Sequence, residues 1–152
     1  SAASDVYKRQ IRISQINYSL AHSSVETFGD NTLVCMDTKE FRWYKKHDFP
    51  VMAFSPQAKG FFAKLAKGDA ANNLPEGQYA GPANLARLAK VKQLSEQTGD
   101  TPAKITLGYL NSQPFFVSSV FAVTKLWQLD EDMEAQDLTY DPKTVAFLEN
   151  MI

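Results

Sequence analysis

Two short stretches of this chain bring together side chains suited to holding an anion. Ser55, Gln57 and Lys59 alternate along the end of one apolar run, and Thr124 with Lys125 follow another. Hydroxyl, carboxamide and ammonium groups all donate hydrogen bonds. A helix starting just beyond them adds unpaired backbone N–H groups and roughly half a positive charge. The same residues also fit a plainer role, in which Thr124 only caps its helix and both lysines are solvated; taken alone, they favour it. Other reactive types offer less. His22 and His47 read as surface or local hydrogen-bonding residues, Cys35 has no histidine near it in sequence, and no metal-ligand spacing occurs. No catalytic residue and no metal site are expected from them.

These side chains matter only if regular elements aim them at one place. Ile13–Leu20, Phe49–Ser55 and Phe116–Val123 are short runs of β-forming residues, and each leads into a segment with helical features. The middle run is almost continuously apolar, the pattern of a parallel strand covered on both faces. Pro50 is tolerated at its start, where no ladder hydrogen bond is needed. Asp37 with Glu40 predicts a capped helix from about Thr38 to His47, with Phe41 and Tyr44 on one face. Leu85, Leu88, Ala89 and Leu94 predict another, ended by Gly99. Thr101-Pro102 and Asp141-Pro142 each supply a cap and a first-turn proline, for helices to about Ser112 and Asn150. Thr124 is expected to cap a helix to about Ala135. Between Pro56 and Pro82, glycines and prolines mark a long connection with one short helical turn. Strands alternating with helices predict an α/β fold with a parallel sheet.

The chain has 152 residues, one domain's worth and fewer than the roughly 250 of a closed (β/α)8 barrel. Hydrophobic residues at 44% and charged residues at 22% argue against extensive disorder. Sixteen basic against 17 acidic residues, with no basic run, give no footprint for nucleic acid. Apolar runs fall short of the roughly 18 residues of a membrane helix. One cysteine excludes an internal disulfide and suits a reducing, cytoplasmic setting. Residues 1–10, SAASDVYKRQ, lack the apolar centre of a signal peptide and read as a disordered or artefactual leader, so that the domain is expected over residues 11–152.

Four stretches carry a more specific signal: SQINYSL at 14–20, VMAFSPQAKG at 51–60, TPAKITLGY at 101–109 and QLDED at 128–132. In order and approximate spacing they resemble the aldo-keto reductases. The resemblance implies an incomplete (β/α)8 TIM barrel, strands six to eight of an oxidoreductase that reduces small-molecule carbonyls with NADPH. It places Gln15 against the nicotinamide carboxamide and Phe54 against the nicotinamide ring, where phenylalanine keeps the stacking face of the more usual tyrosine. It places Ser55, Gln57 and Lys59 around the pyrophosphate, Thr124, Lys125 and Gln128 near the 2′-phosphate, and Glu131 and Asp132 near adenine. Gln128 stands where family members often have arginine, Asp132 where they often have asparagine, and Ala122 where glycine or lysine is usual. A lost charged partner weakens phosphate binding by about 1.5–3 kcal/mol, which leaves NADH possible as the cofactor.

The family's catalytic Asp, Tyr, Lys and His precede strand six, and the resemblance matches none of residues 11–152 to them. The expectation is therefore a portion that holds the cofactor elements without the proton donor, loss of which alone typically costs 10²–10⁴-fold. A second reading is a non-catalytic nucleotide-binding or regulatory subunit of the same fold, resembling potassium-channel beta subunits. A third is self-association through the unpaired edges of a three-stranded sheet.

Overall fold

The computed structural model describes residues 11–68 and 79–149. The expected leader at 1–10, residues 69–78 of the long connection and the expected helix end at Asn150 lie outside the described residues. Three strands, β1 (Ser14–Asn17), β2 (Val51–Phe54) and β3 (Val117–Val120), form one parallel sheet in the order β1-β2-β3. Each lies inside an expected run but is only four residues long. Beyond the ladder, Tyr18, Leu20 and Phe115 are buried in loops, whereas Ile13 and Phe116 are exposed. Residues 34–36 pair with Asn17 on the outer side of β1: Asn17 N–H donates to the Val34 carbonyl at 2.9 Å and Met36 N–H to the Asn17 carbonyl at 2.8 Å.

The helices follow local chemistry closely. α1 (Val25–Phe28) is a single turn after β1. In α2 (Thr38–His47), Asp37 Oδ1 accepts the Glu40 N–H at 2.8 Å, and Lys45, Lys46 and His47 crowd the negative end of the dipole. A 3₁₀ turn (Ala58–Gly60) leads into α3 (Phe61–Ala66), in the segment expected to carry one helical turn. α4 (Pro82–Thr98) stops at Gly99, whose N–H donates to the Ser95 carbonyl and whose left-handed φ of 81° turns the chain out of the helix. α5 (Pro102–Asn111) is capped by Thr101. α6 (Leu126–Met133) follows β3, and α7 (Pro142–Leu148) is capped by Asp141, which accepts two N–H groups at 2.8 and 3.0 Å.

Alternation along the strands divides the sheet into two unlike faces. Ile16, Val51 and Ala53 are buried on one, in a core with Phe61, Phe62, Leu65, Val91, Leu94, Ile105, Leu110 and Leu148. Burying a large apolar side chain contributes about 1.5–3 kcal/mol, so this face holds the helices to the sheet. The other face carries Gln15, Asn17, Met52, Phe54, Ser118 and Val120, of which Gln15 and Val120 are exposed, Asn17 is buried and the rest are half-buried. The expectation that β2 is covered on both faces is thus corrected. An apolar run says which surfaces tolerate burial, but coverage needs an element packed on them.

α4 forms where a helix is expected, but its inward face is not the one its apolar residues mark. Its buried positions are Asn84, Val91 and Leu94, while Leu85 and Ala89 face solvent. The inward stripe is rotated toward Asn84, a polar residue that a search for apolar periodicity passes over.

Against α5 lies the segment 138–140, close enough that a Cβ on Gly108 would stand 2.8 Å from Tyr140 Cε2 and 2.9 Å from Leu138 Cγ. Asn111 Nδ2 donates to the carbonyls of Ala135 and Leu138, and Ser112 Oγ accepts the Tyr140 N–H at 2.6 Å, which pins that approach.

Candidate functional site

At the carboxyl ends of the strands the loops after β2 and β3 come together. Gln15 pairs in register with Met52 and Phe54 with Asn17, so the carboxamide and the ring are diagonal neighbours on the open sheet face. Gln15 is exposed. Its neighbour Ile16 points the other way and takes the burial. Phe54 is half-buried at the strand end.

Directly after Phe54 the backbone enters an uncommon conformation. Ser55, Ala58 and Lys59 have φ of 53°, 49° and 55°, followed by Gly60 at 78°. Left-handed geometry costs a non-glycine residue about 1–2 kcal/mol, and persists only where neighbouring structure enforces it. Two turn hydrogen bonds do so here, Ala58 N–H to the Ser55 carbonyl and Gly60 N–H to the Gln57 carbonyl, both 2.9 Å, with Ala58 fully buried. Lys59 is thereby held exposed at the rim.

α6 supplies the opposing wall. Lys125, not Thr124, occupies its cap position. Gln128 explains the difference: its Oε1 accepts from Lys125 N–H at 2.9 Å, Thr124 N–H at 3.0 Å and Thr124 Oγ1 at 3.1 Å. The carboxamide reaches back from the third helical position, so Thr124 donates where it was expected to accept. Lys125 is exposed and Glu131 half-buried. Asp132 is 4% exposed and accepts from Gln57 Nε2 at 2.6 Å. Burial pushes its carboxyl upward, an effect the Gln57 hydrogen bond opposes. The structure thus brings Gln57 and Asp132 to each other and groups Thr124, Lys125 and Gln128. Lys67, just after α3, lies 5.3 Å over the Trp127 ring, a second tie between the loop region and α6.

Two residues that shape the loop after β1 were missed. Asn84 is 3% exposed; its Oδ1 accepts the His22 N–H at 2.7 Å and its Nδ2 donates to the carbonyls of His22 and Tyr79 at 2.8 and 2.9 Å. Arg87 Nη1 donates to the Leu20 carbonyl at 2.7 Å. Only a polar pair three residues apart, on a helix whose apolar stripe is incomplete, hints at this in sequence. Separately, buried Tyr109 donates from its Oη to Oε1 of half-buried Glu149 at 2.7 Å, and burial keeps the phenol neutral. A shallow concavity at the amino end of β3, lined among others by Asp48, Gln113, Phe116 and Asp137, lies away from all these groups.

No helix among the described residues is long and apolar enough to cross a membrane. Nor do the described residues include a cluster of three or more His, Cys, Asp or Glu side chains fit to hold a metal ion.

A model of the aldo/keto reductase family matches residues 8–152. Among solved structures, a thermostable aldo-keto reductase in complex with the inhibitor epalrestat superposes with a TM-score of 0.59 at 13% identity. That match covers 98% of this chain and 44% of the other. An aldo/keto reductase from Klebsiella pneumoniae in complex with NADP and acetate gives 0.58 at 19% identity, covering 91% of this chain and 38% of that one. The chain therefore spans less than half the length of either. At these identities the likeness concerns the fold: an open, three-stranded part of the (β/α)8 barrel.

Proposed function

The chain belongs to the aldo/keto reductase family, and on that premise we propose that residues 11–152 form its nicotinamide-nucleotide-holding portion and do not themselves carry the proton-donating groups. One observation supports this above the others. Gln15 and Phe54 share one sheet face, on which Gln15 is exposed and Phe54 half-buried, next to a strained loop that presents Lys59. An amide and an aromatic ring side by side suit a flat carboxamide-bearing ring. A nucleotide diphosphate needs cations, and Lys59 and Lys125 are exposed on the two facing loops. The residues present fit such a cofactor.

Gln15 would hold the carboxamide, Phe54 the ring, Ser55 and Lys59 the pyrophosphate, Thr124 and Lys125 the 2′-phosphate, and Glu131 the adenine end. Gln57, Gln128 and Asp132, which the resemblance also put on the nucleotide, are bonded to the protein itself, and we assign them to shaping the site. When bound, NADPH supplies the hydride for reduction of a small-molecule carbonyl to an alcohol. Lys125 favours NADPH, although glutamine in place of arginine at 128 leaves NADH open. A cytoplasmic setting accords with such a cofactor.

Titration of NADPH into the 152-residue chain, followed by nucleotide fluorescence, tests this reading. Binding is expected, with Phe54→Ala weakening it roughly two- to tenfold, the scale of one aromatic contact. No NADPH oxidation is expected with an aldehyde. Absence of binding at millimolar nucleotide defeats the cofactor assignment. Turnover that disappears on mutating Gln15 or Phe54 defeats the claim of silence.

A further inference from the structure

Gln57 lies on the loop after β2 and Asp132 on α6, 75 residues later, and a 2.6 Å hydrogen bond joins them. We propose that this pair positions the nucleotide without touching it: a clasp that fixes the loop against α6 and so sets the separation between Lys59 and Lys125. The proposal rests on the nucleotide reading above.

Three features carry it. Asp132 has almost no exposed surface to offer a ligand, and its carboxylate would repel phosphate. Its carboxylate accepts from the Gln57 amide, which leaves that donor already engaged. Second, Gln57 sits inside the left-handed run, between Ser55 and Ala58, and its carbonyl accepts the Gly60 N–H. Backbone and side chain of one residue therefore hold the strained loop from both sides. A conformation that costs energy at Ser55, Ala58 and Lys59 needs such restraint. Third, Lys67 over Trp127 ties the same segment to α6 again, ten residues further along. Two anchors at separate points resist rotation as well as separation. A hydrogen bond adds direction that an apolar contact lacks.

A double-mutant cycle in NADPH affinity tests the clasp. Gln57→Ala and Asp132→Ala should each weaken binding about tenfold, and the double variant no further, because either change opens the same contact. Asp132→Asn keeps an oxygen acceptor and should stay within about threefold of wild type. Without nucleotide, amide hydrogen exchange at residues 58–60 should speed up in both alanine variants while Val51–Phe54 is unchanged. Gln57→Ala carries the test should Asp132→Ala fail to fold.

Additive losses, about 100-fold in the double variant, would show two independent nucleotide contacts and overturn the proposal. Unchanged exchange at 58–60 would overturn it as well. Wild-type chain that binds no NADPH defeats the underlying nucleotide reading, and the positioning role with it; that result differs from either of the others.

Discussion

Truncating Asn84 to alanine should destabilise the chain far more than its place on a helix surface pattern suggests. Three hydrogen bonds disappear at once: the His22 N–H loses its acceptor and the carbonyls of His22 and Tyr79 lose their donor. At a net 0.5–1.5 kcal/mol each, the sum is about 3 kcal/mol. Asn84 itself is buried, so water does not replace all three partners cheaply. For a chain of this length each kcal/mol lowers Tm by about 2–4 °C, so a fall of roughly 6–12 °C is expected. Urea unfolding followed by far-UV circular dichroism gives the number directly, and an unchanged slope with a lower midpoint would mark a stability effect alone. Asn84→Asp adds a useful contrast. It keeps the acceptor for His22 N–H, loses both donors and buries a charge, so it should be no better than alanine. A loss below about 1 kcal/mol for Asn84→Ala would refute the reasoning, by showing that solvent satisfies the freed groups.

Gly108→Ala tests the close approach on α5. Helix propensity alone would stabilise by about 1 kcal/mol, but a Cβ 2.8 Å from Tyr140 and 2.9 Å from Leu138 should cost about 1–3 kcal/mol in overpacking. The expected net result is a lower urea midpoint; a higher one would mean that segment 138–140 yields freely. Asp132 gives a pH dependence of stated sign. Its folded carboxyl lies above its unfolded value because of burial, so folding takes up a proton between the two values and the charge penalty fades as pH falls through them. Asp132→Asn should therefore be the more stable protein at pH 7, with its advantage shrinking toward acid pH. An advantage that grows with acid would contradict the assignment.

Much of the fold was legible because its signals are local. Asp37 with Glu40, Thr101-Pro102, Asp141-Pro142 and Gly99 each report a helix end through a side chain or backbone angle that needs only near neighbours. The parallel direction of the strands followed from their alternation with helices. The failures involve partners distant in sequence. Residues 34–36 join β1 only through tertiary placement, and Gln15 is exposed because no element among the described residues packs over it. Thr124 lost its cap role to a carboxamide four residues on. Left-handed geometry at Ser55, Ala58 and Lys59 leaves no mark in sequence, since none of these types favours it. The pairing of Gln57 with Asp132 was equally hidden. Each was visible alone as a candidate ligand group, and only the fold shows that they meet.

The Lys67 ammonium over the Trp127 ring has a practical consequence. Indole emission responds to a charge held against its face, and the sequence contains only two tryptophans. Trp43, on α2, can be replaced by phenylalanine to leave a single emitter at the junction of loop and helix. The protein would then carry a built-in optical gauge: wavelength and intensity would track how far this lysine stands from its ring, in real time and without an attached dye.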